Sequence, residues 1–347
     1  HCKILPSGFT EGKKLAGFNV GITGLAVLAF TSQGYTHKTG KKAEYVACVS
    51  KAMELLLKQQ YKGSEELSKG VFGPHTHKNA GGALGAKYRT KHRNIEVPVG
   101  TKEEWIYNHA IVTQAMAELL RLSKDKEKLS ESVKQAVEWC FRATHPDDGG
   151  WKYGYKDTQG SDTSCTGWVI QALRQSKICA DKKLVDLDKK SFTECYKRAK
   201  KLFIDNTQDD NGITGYNTPG DDGVRLNLHP PKPYPYSKVL SAMTAEALFC
   251  RLCVGESRNS KLIKLSKKVL LESLPSWSLQ TGTQLSTINM YYWYHGSYAM
   301  ARLGGSDWKK WKKKMVPTLL STKDGNKGQR AKAGSCEHGS WDPIGEW

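Results

Sequence analysis

The stretch that decides the fold is GGWKYGYKDTQGSDTSCTGWVIQALRQSK, from Gly149 to Lys177. It begins as a glycine-aromatic turn, continues as a polar loop, and then becomes a helix opened by Ser161, Asp162 and Thr163. Small polar residues are preferred where a helix begins, because their side chains accept hydrogen bonds from free backbone N–H groups. The pattern therefore predicts a helix with a defined start.

The same pattern recurs in the chain. Four other segments place a small or polar opening before a run of alanine, leucine and aromatic residues. They are Asn19 to Gly34, Tyr107 to Ser123, Ser237 to Gly255, and Asn289 to Gly305. The runs Gly24 to Phe30 and Trp168 to Leu173 are apolar nearly all round, which is typical of helices enclosed by other helices. These five segments are interpreted as inner helices.

Each inner helix is followed by a lysine-rich segment with apolar residues at helical spacing on one face. This pattern is typical of outer helices that are half exposed to solvent. The segments are Lys41 to Gln60, Glu127 to Ala143, Phe192 to Asn206, Ser260 to Ser273, and Trp308 to Ser321. Inner and outer helices alternate about every 60 to 70 residues, which is too long for the common short repeats. We therefore predict an all-α ring of helical hairpins, of which five are recognisable.

The composition predicts one large soluble domain over residues 1–347, with 38% hydrophobic and 25% charged residues. No apolar run approaches the roughly 18 residues that span a bilayer. The cellular compartment stays undecided, because a cleaved signal peptide leaves no trace. Most of the nine cysteines fall inside predicted helices, so we expect buried free thiols.

The formal charge of +19 is strongly basic and favours anionic partners, such as acidic lipids or sulfated or uronic polysaccharides. Lysine outnumbers arginine, the usual residue for bidentate phosphate recognition, so we expect no nucleic acid partner. A solvated lysine coat is the preferred interpretation. Contact with a membrane surface through Trp308, Trp311 and their neighbouring lysines is the second.

Five motifs in order carry a resemblance that spans essentially the whole chain. They are TGLAVLAFTSQGYTH (Thr23 to His37), DDGGWKYGY, SDTSCTGWVIQAL, YYWYHGSYAMARLGG and GSWDP. Together they resemble the repeat domain of squalene and hopene cyclases and of protein prenyltransferase β subunits, and most closely a bacterial, planctomycete-type branch. The resemblance implies an α/α toroid of six inner and six outer helices with a central cavity. One outer and one inner helix of that pattern fall outside residues 1–347, which implies a ring completed by a partner or by further chain.

The resemblance also directs attention to Asp162. In the cyclases that start by protonation, a D-x-D-D segment opens an inner helix and its central aspartic acid protonates an alkene. The matching positions here hold Ser161 and Asp162. A serine hydroxyl does not protonate an alkene, so capping of its own helix is the preferred role for Asp162 and catalysis the alternative.

Protein prenyltransferases bind zinc through an aspartate and a cysteine two residues apart, with a histidine from another inner helix. The resemblance places Asp162, Cys165 and His295 as the weak counterparts, with His109 or His338 as substitutes. The D-x-x-C spacing moves the thiol by about 100° around the helix relative to D-x-C. We therefore predict no cofactor and keep zinc as the alternative.

The last inner helix is rich in aromatic residues. Tyr291, His295 and Tyr298 fall on one face, where they are suited to line a cavity that stabilises a carbocation or stacks on sugar rings. Packing between inner and outer helices is the equal alternative. The predicted cavity residues are Tyr291, Trp293, Tyr294, Tyr298 and Trp168.

Two further candidates come from side chains with acid–base chemistry. Tyr107 and His109 open the second inner helix, at the predicted mouth that also holds Asp162 and His295, where they are suited to proton transfer. Hydrogen-bonded structure is the preferred role for this histidine. His75, His77 and His92 lie in a glycine-rich loop insertion from Gly63 to Gly100, which we interpret as a solvated loop and, alternatively, as a metal-binding one.

These observations predict a binding or scaffold domain that presents a basic surface to a protein or an anionic partner. The alternative is an enzyme acting in the central cavity on an isoprenoid or on an acidic polysaccharide. Its catalytic candidates are Asp162, His109, His295 and Tyr107.

Overall fold

The computed structural model describes residues 19–63, 69–73, 88–92, 95–99, 105–153, 155–156, 160–221, 241–277, 288–320 and 341. These residues form ten α-helices and one short two-stranded antiparallel sheet. The prediction of an all-α chain is therefore confirmed at the level of fold class. Within the described ranges, no helix is both long and apolar enough to cross a membrane.

Every predicted inner and outer helix has a counterpart within a few residues of its expected bounds. The helices are α1 (Asn19–Ser32), α2 (Ala43–Lys58), α3 (Trp105–Ser123), α4 (Lys126–Ala143), α5 (Thr163–Asp181), α6 (Lys189–Asp205), α7 (Ser241–Cys253), α8 (Lys261–Glu272), α9 (Met290–Leu303) and α10 (Gly305–Leu320). The described residues divide into two compact units, one ending at Leu202 and the other beginning at Phe203.

The helices of the first unit that were predicted to be inner pack side by side, α1 on α3 and α3 on α5, while α2 packs on α1 and α4 on α3. Glycine permits the close approach of α1 to α3. The Gly21 N–H donates to the side chain of Asn108 at 2.8 Å. A Cβ built on Gly24 lies 3.0 Å from Ile111, so a larger residue there is crowded. Every residue from Thr163 to Leu173 in α5 is buried, as expected of an enclosed helix.

Helix α1 departs from this expectation on one side. Its apolar surface predicts an enclosed helix, yet Ile22 is 57% and Leu25 38% exposed. Ala26 and Ala29 are exposed on the same side. The cause is its position: within the described residues, α1 packs on one inner helix, α3, whereas α3 packs on two.

The second unit has the same order of packing: α7 packs on α9, α8 on α7, and α10 on α9. A hydrophobic core joins these helices and contains Trp277, Trp293 and Trp311. Trp311 of α10 is fully buried, and its indole N–H donates to the Ser297 hydroxyl at 3.0 Å. Its ring lies over Gly296, where α9 has no side chain.

The loop expected between Gly63 and Gly100 contains regular structure. Strands β1 (Tyr88–His92) and β2 (Ile95–Val99) pair antiparallel, with Thr90 opposite Val97. The segment alternates β-branched residues with polar ones, which favours strands over loop. His75, His77 and the side chain of His92 lie outside the described residues.

The cysteines of the described helices are free thiols, as predicted. Six are buried: Cys140, Cys165, Cys179, Cys195, Cys250 and Cys253. Burial raises the pKa of Cys179 to about 12, so this thiol stays protonated and unreactive at neutral pH. Cys48 differs from the prediction, because it lies on the exposed side of the outer helix α2.

The contact between Gly296 and Trp311 gives a test of the packing in the second unit. A Cβ at residue 296 lies 2.5 Å from the Trp311 ring, so Gly296→Ala forces the indole to move. We expect a loss of about 1–3 kcal/mol in the free energy of unfolding, measured by urea denaturation. In a Trp311→Phe background, which shortens the ring, the same alanine substitution should cost less. Equal losses in the two backgrounds would contradict the contact.

Candidate functional site

The N-terminal ends of α3 and α5 meet in the first unit. The Tyr107 hydroxyl of α3 and the Ser164 hydroxyl of α5 form a hydrogen bond of 2.8 Å. Asp162, two residues before Ser164, is fully buried. The structure thus brings the predicted residues Tyr107 and Asp162 to the same end of two neighbouring inner helices.

Asp162 caps α5, which confirms the preferred interpretation of its position. Its carboxylate accepts from the backbone N–H of Cys165 at 2.6 Å, and its own N–H donates to the Trp151 carbonyl. A carboxylate at a helix N-terminus also interacts favourably with the helix dipole. The neighbouring Ser161 takes part in the preceding turn, where its N–H donates to Asp148 at 2.8 Å and its hydroxyl bonds the same carboxylate. Both residues shape the start of the helix.

His109 lies two residues after Tyr107, and its imidazole contacts a different helix. Successive residues turn by about 100°, so these two side chains leave α3 about 200° apart. The His109 Nδ1 accepts from the Phe72 N–H at 3.1 Å, and its Nε2 lies 3.2 Å from the Ala136 carbonyl of α4. The tyrosine therefore faces α5 while the histidine faces α4.

Burial lowers the pKa of His109 to about 3. The imidazole is therefore neutral at physiological pH, with Nδ1 as acceptor and the Nε2 proton donated to Ala136. The Cys140 sulfur lies 3.4 Å from Nε2, and burial raises the pKa of this thiol. This group lies inside the helical core, where it ties α3 to α4 and to the segment that contains Phe72.

The metal alternative concerns Asp162, Cys165 and His295. Asp162 and Cys165 belong to the first unit, and the Cys165 N–H is bound to the Asp162 carboxylate. In the part of the chain that the structure describes, no three His, Cys, Asp or Glu side chains are grouped to hold a metal ion. His338 lies outside the described residues.

A polar cluster joins α7 and α9 in the second unit. Glu246 of α7 is fully buried and accepts from the Tyr291 hydroxyl of α9 at 2.8 Å. His295, one turn after Tyr291, is also fully buried, and its Nε2 lies 3.7 Å from Glu246 Oε1. The rings of Tyr291 and His295 are 4.4 Å apart at their centroids. We call Glu246, Tyr291 and His295 the α7–α9 polar cluster.

Aromatic residues continue this face of α9. Tyr294 contacts both His295 and Tyr298, and Tyr298 contacts Phe249 of α7 at 5.3 Å between ring centroids. The predicted single face of Tyr291, His295 and Tyr298 is therefore present, and it packs on α7.

The remaining aromatic residues of α9 face the core. Trp293 packs against Trp277 at 5.9 Å between ring centroids, and the Tyr292 hydroxyl donates to the Ser273 carbonyl after α8. Trp168 of α5, in the other unit, is buried as well. Packing between helices accounts for Tyr292 and Trp293.

The chemistry of the α7–α9 polar cluster is that of a hydrogen-bonded link between helices. Burial lowers the pKa of His295 to about 3, so the imidazole beside the carboxyl group is neutral at physiological pH. Burial also raises the pKa of Cys250, one turn after Glu246. A carboxyl group, a phenol and an imidazole are suitable for proton transfer, but Glu246 and His295 are closed to solvent.

Glu246 was not among the residues predicted from the sequence. It is the one carboxylate in SAMTAEALFCRLC, a helix otherwise made of apolar, small and thiol residues with a single late arginine. A charged residue in an enclosed helix needs a hydrogen-bonding partner, because burial of an unpaired charge is costly. That argument identifies Glu246 as a candidate, and the contact with Tyr291 requires the structure.

The outer surface of the second unit is strongly basic. Helices α8 and α10 together carry nine lysines and two carboxylates, Glu272 and Asp307. An ion pair of 2.8 Å between Lys267 and Asp307 joins the two helices. The exposed lysines are Lys261, Lys264, Lys268, Lys309, Lys310, Lys312, Lys313 and Lys314. We call these eight residues the lysine surface.

The structure also shows where the two tryptophans of α10 lie. Trp308 and Trp311 carried the second interpretation of the basic charge, contact with a membrane surface beside their lysines. Trp311 is instead enclosed by the core, and Trp308 packs against the same core. The five lysines of α10 span about 200° of the helix, with Trp311 on the opposite side. The indole is therefore turned away from the lysine surface.

Comparison with known proteins finds no family model that matches the chain and no match among curated proteins.

The cap formed by Asp162 yields a stability test. Asp162→Ala removes the acceptor of the Cys165 N–H and should lower the free energy of unfolding by about 1 kcal/mol, within a range of roughly 0.5–2. Asp162→Asn keeps an acceptor oxygen and should cost less. The matched control is Asp181→Ala at the exposed end of the same helix. Urea denaturation measures all three, and an asparagine variant as unstable as the alanine variant would exclude the cap.

The two buried imidazoles predict loss of stability in mild acid. Each has a pKa of about 3 in the folded chain, against about 6.5 unfolded, so between these values only the unfolded chain binds the proton. The stability contributed by the two neutral histidines should be fully retained above pH 6.5. Below it, each histidine removes about 1.4 kcal/mol per pH unit until about pH 3.

This slope is measured by urea denaturation between pH 6 and 4.5. The slope is the change in the free energy of unfolding per pH unit. The variant His109→Gln, whose amide keeps one donor and one acceptor, should lower this slope by the contribution of one histidine, about 1.4 kcal/mol per pH unit. A slope identical to that of the unmodified chain would show that His109 is charged in the folded protein.

Proposed function

We propose that the chain is a binding domain of the toroid type found in terpenoid cyclases and prenyltransferases, and that its lysine surface binds an acidic polysaccharide. The toroid is supported by the alternation of enclosed helices with lysine-rich ones and by the side-by-side packing of α1, α3 and α5 and of α7 and α9. The binding role rests on the separate observation that follows.

The observation that carries the proposal is the charge of α8 and α10. Nine lysines against two carboxylates give these two helices a net charge of +7. Both carboxylates are already engaged, Asp307 with Lys267 and Glu272 with Lys268. The exposed lysines thus concentrate positive potential on one pair of neighbouring helices, which attracts a polyanion at long range.

The two tryptophans of α10 favour a polymer in solution over a membrane surface, although Val316 and Leu320 of the same helix are exposed. Helices that lie in a membrane interface insert aromatic and aliphatic residues on one face, with lysines beside it. On α10 the aromatic face packs into the protein core through Trp308 and Trp311. The lysines that remain outside are strongly hydrated point charges suited to sulfate and carboxylate groups along a chain.

The enzymatic alternative receives no support from the described candidates. His109 and His295 are fully buried, and each contacts protein groups on a neighbouring helix. Asp162 is engaged as a helix cap. A catalytic acid or base must reach the substrate proton within hydrogen-bonding distance. We therefore place the function on the outer surface.

Removal of lysines from α10 tests the proposal. The triple variant Lys309→Gln, Lys310→Gln, Lys313→Gln keeps helix-forming side chains and removes three positive charges. Each lysine near an anionic surface contributes about 1 kcal/mol, so affinity should fall on the order of a hundredfold. The measurement is titration calorimetry with heparin as the sulfated polysaccharide and polygalacturonate as the uronic one, at low salt.

A matched control separates this surface from net charge. Lys189→Gln, Lys190→Gln, Lys197→Gln removes the same charge from exposed positions of α6 and should leave the affinity nearly unchanged. Equal losses in the two triple variants would show that binding follows net charge alone. Tight binding to phosphatidylserine vesicles with weak binding to both polysaccharides would contradict the proposed partner.

A further inference from the structure

One face of α10 changes from charged to apolar along its length. Lys309, Lys313, Val316 and Leu320 are exposed, and their spacing of i, i+4, i+7, i+11 places them along one face of the helix. The two lysines belong to the lysine surface. The other two side chains are aliphatic and lie in the last turns of α10. A polyanion held by the lysines therefore has an exposed apolar surface beside it.

Trp341 lies at the C-terminal end of α10. Its indole Nε1 donates to the Leu319 carbonyl at 2.9 Å, and the residue is 37% exposed. Among the described residues, Tyr298 is the other aromatic residue exposed to a similar extent, and its ring packs on Phe249 of α7. Trp341 thus supplies an exposed aromatic ring at the helix end that adjoins the lysine surface.

The dimensions of α10 allow one ligand to reach the lysines and the indole together. A helix rises about 1.5 Å per residue, so Leu319 lies about 9 Å along the axis from Lys313 and about 15 Å from Lys309. These residues and Trp341 belong to the same compact unit. A short polymer chain that follows α10 therefore passes both lysines and then the tryptophan.

We propose that Trp341 makes this surface selective for sugars. An acidic polysaccharide lies along α10 with its anionic groups on Lys309 and Lys313, and one of its sugar rings stacks on the exposed indole. This assignment rests on the proposed function and adds a contact that lysines do not make. An ammonium group is a point charge that attracts any polyanion. The negative face of an aromatic ring, in contrast, packs against the C–H groups of a sugar ring.

The fixed position of the indole favours a stacked sugar over insertion into a membrane. A tryptophan at a membrane interface places its N–H in the hydrated headgroup layer and its ring toward the apolar layer. The N–H of Trp341 is instead bonded to the Leu319 carbonyl, so this edge of the ring is held by the protein. A ring that is already held loses little conformational entropy when a ligand stacks on it. The lysines on the same helix then select an anionic sugar polymer.

The dependence of affinity on salt separates the tryptophan from the lysines. Ionic contacts with a polyanion release counterions, so the logarithm of the affinity falls linearly with that of the salt concentration. Lys313→Gln should therefore lower this slope. Trp341→Ala should lower the affinity roughly threefold to tenfold at every salt concentration and leave the slope unchanged. The measurement is titration calorimetry with heparin and with polygalacturonate, between about 50 and 200 mM salt.

Polyglutamate is the matched control ligand, because it carries carboxylates along a chain and has no sugar ring. Trp341→Ala should leave the affinity for polyglutamate unchanged. Trp341→Phe keeps an aromatic ring without the N–H and should lose less affinity for the polysaccharides than the alanine variant does. Leu55→Ala removes an exposed leucine from α2 and should change none of these affinities.

Fluorine NMR gives a second measurement that does not depend on the stability of a variant. The chain is produced with fluorinated tryptophan, and the resonance of Trp341 is identified by its loss in Trp341→Phe. Addition of the polysaccharide should shift this resonance and leave that of the buried Trp311 in place. Addition of polyglutamate should leave both nearly unchanged.

Three results would overturn the role of Trp341 while the proposed function stands or falls separately. The first is an alanine variant that binds the polysaccharides like the unmodified chain, while the triple lysine variant of α10 loses affinity. The second is an equal loss of affinity for polyglutamate, which indicates that Trp341 only supports the shape of α10. The third is binding to phosphatidylserine vesicles that depends on Trp341 when polysaccharide binding does not. Absence of binding to both polysaccharides would overturn the proposed function and this role together.

Discussion

The rest of the structure depends on the side-by-side packing of helices that are apolar on nearly every side. Such a helix is stable only when neighbours cover it on each flank, and close packing rewards small residues at the contact. Glycines allow close approach in both units. Residues of α3 pack directly against Gly21 and Gly24, and the ring of Trp311 packs against Gly296. The lysines consequently occupy the outer helices, because the inner ones offer little surface to water.

Enclosure also determines the role of the polar residues on inner helices. A buried polar group must find a partner inside the protein, since its loss of hydration is otherwise uncompensated. Asp162 accepts a hydrogen bond from the first turn of its own helix. His109 contacts the Ala136 carbonyl of α4, and Glu246 accepts from the Tyr291 hydroxyl. These polar residues thus cap a helix, as Asp162 does, or join two helices, as His109 and Glu246 do.

Sequence reasoning predicted the helices and several of their starts, because periodicity and polar openings are local signals. Asp162 and Asn289 cap α5 and α9 where their positions predict. Contacts between distant residues leave no such signal. The hydrogen bond of His37 with Asp125, 88 residues apart, and the bond from Tyr291 to Glu246 became evident only in the structure. The strands β1 and β2 were missed because flanking glycines made the segment resemble a loop.

The exposed side of α1 follows from the same constraint as the buried helices. An apolar helix at the edge of a row keeps one flank in water unless something covers it, and a composition suited to enclosure is then a composition suited to association. The basic charge of the chain restricts what is able to approach. The lysines of α10 attract anions and repel other positively charged chains. Helix α1 carries no charged side chain, so it neither attracts anions nor repels cations. Charge is therefore concentrated on helices such as α8 and α10 and is absent from α1.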